Sequence, residues 1–122
     1  IREGKQGGGT YLSTGAPLDI VNQILKKNPT MKNWAHHSMP LWSMKTKPMQ
    51  ALQLDDFSAV VTVEDHLIDG GFGSWLMESV CIRSELLPRI KIKALDSRVC
   101  GMVGKQSILN IEGGLLEKLL CE

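Results

Sequence analysis

Hydrophobic positions along this 122-residue chain recur with two different periods, and the switching between them lays out a series of elements. Thr10-Tyr11-Leu12-Ser13-Thr14 is a short β-prone run closed by Gly15-Ala16-Pro17. Proline suits the first turn of a helix, and Asp19 suits its positive end. Leu18, Val21 and Leu25 then repeat at helical spacing, Lys26 and Lys27 favour the helix end, and Asn28-Pro29 stops it. Residues 33–41 read as a second strand, followed by a loop or short helix from Lys45 to Leu54. Residues 57–63 form a third strand, with Ala59, Val60, Val61 and Val63 nearly continuous. A strand apolar on both faces belongs inside a parallel sheet covered by helices on both sides.

The second clear helix spans residues 72–83, where Phe72, Trp75, Leu76, Ser79 and Val80 follow i, i+3, i+4, i+7, i+8 spacing. Pro88 breaks the chain. Ile90-Lys91-Ile92-Lys93-Ala94-Leu95 alternates as a strand near a sheet edge, and residues 107–111 and 115–120 are short helices separated by Gly113-Gly114. The order β-α-β-β-α-β-α predicts an α/β fold: a three-layer α/β/α sandwich on a mixed, mostly parallel sheet of about five strands. The length suits a single domain over residues 1–122.

Charge narrows the function classes. The formal net charge is +1, and Lys and Arg are scattered without an aromatic ladder among them, so nothing points to nucleic acid. No apolar run approaches the roughly 20 residues of a membrane span, and the charged, glycine-rich start is no signal peptide. Cys81, Cys100 and Cys121 are odd in number and form no CxxC pair, which suits a reducing, cytoplasmic setting. The first residue is isoleucine, which is expected of a processed chain or of a piece of something longer.

The chemically richest stretch is Val61-Thr62-Val63-Glu64-Asp65-His66-Leu67-Ile68-Asp69-Gly70-Gly71-Phe72-Gly73-Ser74. A loop from the end of a parallel strand into a helix is where α/β folds place ligands, and the helix start favours anions. Glu64, His66, Gly70, Gly71, Gly73 and Ser74 are therefore candidates for an anion or interface loop. Glu64, Asp65 and Asp69 oppose a phosphate, and the plainer reading is a tight turn with close helix packing. The glycine spacing departs from GxGxxG, and Gly104-Lys105-Gln106-Ser107 fails as a P-loop ending. His66 has no nucleophile motif beside it and reads as a surface residue in a turn. His36 and His37 are adjacent on a strand and so face opposite ways, which does not suit one metal. Trp34, Trp42 and Trp75, with Met39, Met44 and Met49 around Trp42, read either as core or as an interface.

Four stretches together resemble the C-terminal domain of the transketolase family of thiamine-diphosphate enzymes. Gly9-Thr10-Tyr11-Leu12-Ser13-Thr14-Gly15 looks like its opening strand and threonine-glycine turn, and Pro40 with Lys47-Pro48 its proline segment. Thr62-Val63-Glu64-Asp65-His66 through Gly70-Gly71-Phe72-Gly73-Ser74 is similar to its "TVEEH…GGFGS" hallmark. Asp96-Ser97-Arg98-Val99, then Gly101, resembles its "D-x-F-G" region, with Ser107 beginning the next helix. The resemblance implies an enzyme moving two-carbon ketol units between sugar phosphates, with thiamine diphosphate and Mg²⁺ held on preceding domains. It implies no catalytic, cofactor-binding or metal-ligating residue in this part of the chain. Its implied role is packing on those domains and on a second subunit of a homodimer. Alternatives are the partner-docking domain of a 2-oxo-acid dehydrogenase β subunit and an anion-binding regulatory domain.

Overall fold

The structure is a computed structural model that describes residues 3–120. Four strands, β1 (Gly9–Ser13), β2 (Ala35–Ser38), β3 (Ala59–Leu67) and β4 (Ile90–Leu95), form a sheet in the order β2-β1-β3-β4. Every neighbouring pair is parallel. Five helices accompany them: α1 (Pro17–Lys27), α2 (Lys47–Leu54), α3 (Phe72–Val80), α4 (Gln106–Glu112) and α5 (Leu115–Leu120). The α/β class and the layering agree with the sequence pattern. The mostly parallel sheet expected is observed, with four strands among the described residues where about five were expected and with no antiparallel pair among them. The physical reason for the parallel pairing is α2. A short helix between β2 and β3 carries the chain back across β1, so β3 enters on the far side of β1 and parallel to it.

Each face of the sheet carries its own core. Tyr11, Val61, Val63 and Leu95 meet Val21 and Leu25 of α1 and Leu115 and Leu119 of α5. On the other face, Leu12, Val60 and Ile90 meet Leu54 of α2 and Phe72, Trp75, Leu76 and Val80 of α3. Tyr11 and Leu12, or Val60 and Val61, are chain neighbours that serve opposite cores, as the two-residue period of a strand dictates. The helix α1 ends at Lys27, just before Asn28-Pro29, where proline was expected to stop it.

Two strand boundaries move. The second strand occupies only Ala35–Ser38, because Pro40 and the turn at Met44–Thr46 take the chain off the sheet. The third strand runs on to Leu67, past the expected end at Val63. Its pairing with β4 slips there: Val63 faces Lys93, yet Leu67 faces Leu95, so β3 carries extra residues between the two contacts. That irregularity holds Glu64, Asp65 and His66. His66 is thus a strand residue with a half-exposed side chain, not a turn residue.

Candidate functional site

Strand periodicity places Val60, Thr62 and Glu64 on the face covered by α3. Glu64 is fully buried, and its carboxylate points at the start of that helix. The backbone N–H of Phe72 donates to Glu64 Oε2 at 2.5 Å, and that of Gly73 donates to Oε1 at 2.8 Å. These are two of the donors that a helix start leaves without an internal partner. No side chain caps α3 from its N-cap position, Gly71, so the cap comes from the strand instead.

The glycines make this approach feasible, each in its own way. Gly70 adopts φ +70°, a left-handed conformation that costs a side-chain-bearing residue about 1–2 kcal/mol. Gly71 has ordinary angles, but a Cβ there would run into Glu64 Oε2 and the Leu67 carbonyl. At Gly73 a Cβ would lie 2.6 Å from Ile92 and 2.8 Å from Thr62 Oγ1. The Ser74 hydroxyl donates to the Ile68 carbonyl and ties the loop to the first turn of the helix.

Burial raises the Glu64 pKa above the usual carboxylate value, while the two N–H bonds and His66 pull against that rise. The His66 Nδ1 sits 3.6 Å from Glu64 Oε2 and 4.0 Å from Asp65 Oδ1. Beyond them, an open cleft of about 450 Å³ is lined by Trp42, Asp65, His66, Asp69, Gly70 and Gly71, among others. Trp42 bridges the cleft and the core, with its ring centroid 6.2 Å from His66, 5.9 Å from Phe72 and 6.0 Å from Trp75. The six candidate residues of the loop are therefore neighbours in space. Its anion-binding donors already hold a carboxylate supplied by the chain, and Asp65 and Asp69 make the cleft unfavourable for phosphate.

A second polar cluster was not anticipated from the sequence. His36 is fully buried on the α1 face, with Nε2 2.8 Å from Ser13 Oγ and Nδ1 2.9 Å from Asn22 Oδ1. Asn22 Oδ1 can only accept, so Nδ1 carries the proton and Nε2 accepts from the Ser13 hydroxyl. The order serine-histidine-asparagine imitates a nucleophile with its base and orienting group. Ser13 and His36 are both wholly inaccessible, and burial lowers the His36 pKa to about 4, too weak a base at neutral pH. The cluster is a structural tie. The sequence held no signal for it, because the register that sets His36 beside Tyr11 arises only when β1 and β2 pair.

His37 faces the other way, toward Thr10 Oγ1 and Phe57, as adjacent strand residues must. The tryptophans and methionines divide. Trp75 is core and Trp42 half-buried, whereas Met44 and Met49 face outward. Among the described residues Cys81 and Cys100 are free and exposed, and Cys121 lies outside them. No described helix is long and apolar enough to cross a membrane.

No family model matches the chain, and no curated protein matches it. Among solved structures, one described as a split-gene transketolase, inactive β4 tetramer, matches with a TM-score of 0.66 and 20% identity over 96% of this chain. The two share a fold. The chain spans only 38% of that protein's length, so the likeness concerns one portion of it. The fold implied by the transketolase resemblance at residues 9–15 and 62–74 is thus the fold observed.

Proposed function

We propose that this chain is the C-terminal packing portion of a transketolase-like enzyme, in which other domains hold thiamine diphosphate and Mg²⁺ and perform ketol transfer between sugar phosphates. The single observation that carries the reading is Glu64. Its carboxylate takes the Phe72 and Gly73 N–H groups, the donors an incoming phosphate would need, and closes the loop as a structural joint. Among the described residues no group of three His, Cys, Asp or Glu is placed to hold a metal ion, which supports a reading in which Mg²⁺ is held on other domains. The split-gene transketolase with the shared fold is described as an inactive assembly of β chains, which supports a portion that needs another polypeptide for activity.

The test has two parts. Calorimetric titration of thiamine diphosphate with Mg²⁺ into the chain alone is expected to give no heat of binding. Mixing the chain with a polypeptide that carries the thiamine-diphosphate motifs is expected to give a complex and ketol transfer. Tight cofactor uptake by the chain alone would overturn the reading. The loop itself can be checked by NMR: millimolar sugar phosphate should leave the amide shifts of Gly71 to Ser74 unchanged.

A further inference from the structure

The edge strand β2 and the helix α2 border a cleft of about 370 Å³, a volume that suits a small molecule. Its walls are mostly apolar, with Leu12 of β1, Met39 just after β2, Leu54 of α2 and Phe57. Gln50 also lines it and is only 3% exposed. The Gln50 amide nitrogen donates to the Thr46 carbonyl at 3.0 Å, and a carbonyl can only accept, which fixes how the amide is turned. The amide oxygen is left as an acceptor with no partner among the described residues. On so buried a side chain, it is reached through the cleft.

Two further side chains on the cleft are acceptors. The Thr10 hydroxyl donates to the Tyr11 carbonyl, so its oxygen accepts from His37 Nδ1 at 3.1 Å. The proton therefore sits on Nδ1, and Nε2 is an acceptor without a partner among the described residues. Burial lowers the His37 pKa from its ordinary 6.5, which keeps the ring neutral near pH 7. Asp56 is the one carboxylate on the cleft, and it has no ion pair among the described residues. Lys5 and Arg89 line neighbouring clefts instead, and Arg89 donates to the Phe57 carbonyl at 3.3 Å. Three acceptors against apolar walls, one of them charged, suit a ligand that brings N–H donors and a positive charge.

We propose that the cleft between β2 and α2 binds a small organic ammonium. Asp56 meets its charge, Gln50 and His37 offer acceptors for its N–H groups, and its apolar body lies on Leu12, Met39, Leu54 and Phe57. The proposal goes beyond the packing role above. It needs neither thiamine chemistry nor another polypeptide, so either reading can fail alone.

Titrating phenethylamine into the chain near neutral pH, followed by amide NMR, tests it. Saturable shifts are expected at Ser38, Met39 and the amides from Gln50 to Phe57, with a dissociation constant of about 1 mM for so small a ligand. Phenethyl alcohol keeps the apolar body without the charge and should bind about 10-fold more weakly, while phenylacetate should not bind. Asp56→Asn should weaken the amine by about 5- to 10-fold, and Gln50→Met, which removes an acceptor, by about 5-fold. Asp55→Asn removes a charge that Arg83 already holds at 2.7 Å, and it should leave the affinity within about 2-fold. Circular dichroism confirms that each variant is folded. No shift at about 20 mM amine, equal binding of the alcohol or of phenylacetate, or equal affinity of Asp56→Asn and Asp55→Asn for the amine would each overturn the proposal.

Discussion

The two strand-helix units that flank the centre of the sheet each anchor their helix with a fully buried polar side chain, and they do so with opposite chemistry. In the β1-α1-β2 unit, His36 is neutral and satisfied by two neutral partners, Ser13 and Asn22. In the β3-α3-β4 unit, Glu64 is an acid held against the positive start of α3 by two backbone N–H groups. The first tie joins side chains and leaves the backbone to regular hydrogen bonding. The second completes the backbone hydrogen bonding of a helix that has no cap of its own, so more depends on it.

That contrast orders the expected damage. Glu64→Ala leaves the Phe72 and Gly73 N–H groups buried and unsatisfied, at about 1–3 kcal/mol each, so a loss of about 4 kcal/mol is expected in urea unfolding. Equal stability in the variant would show that water or a shifted loop can replace the cap. Gly71→Ala attacks the same joint from the other side. Its methyl group meets the Leu67 backbone, which cannot move aside, and about 3 kcal/mol is expected from overpacking.

The pH dependence separates the two anchors by sign. Burial lowers the His36 pKa from its ordinary 6.5 to about 4. The unfolded chain then takes up a proton that the folded chain resists, so stability is lost as pH falls from about 6.5 toward 4. At full effect this amounts to about 3 kcal/mol. His36→Gln should remove that slope. Burial raises the Glu64 pKa, so its contribution is fully present below the ordinary value of 4.5 and declines as pH rises through the raised value. Glu64→Gln should flatten that decline while costing about 2 kcal/mol, because an amide leaves one N–H without an acceptor. Parallel profiles for the two variants would refute the contrast.

The smallest effect distinguishes two neighbouring glycines. Gly70→Ala meets no atom within 4 Å and carries only the left-handed backbone cost, about 1 kcal/mol. If Gly70→Ala proved as damaging as Gly71→Ala, the loop would be governed by backbone conformation rather than by the close approach of Glu64.

Much of the frame was legible in the chain because it depends on local rules. Pro17 and Asn28-Pro29 delimit α1, helical spacing marks the start of α3, and alternation locates β4 at Ile90–Leu95. The loop at 62–74 was legible as a place of interest, and its turn-and-packing reading agrees with the geometry. What the residue order could not convey was that Glu64 itself occupies the helix start, since that contact depends on where α3 lands on the sheet.

By itself, then, the sequence determined the α/β class, the two-faced burial of β3 and the glycine-rich entry to α3, because periodicity and backbone freedom act over a few residues. Only the tertiary structure decided that all four strands run parallel, that His36 binds Ser13 and Asn22, and that α2 turns Met49 and Leu52 outward. Those outcomes depend on which surfaces meet after the chain has closed on itself, and such meetings join residues far apart in sequence.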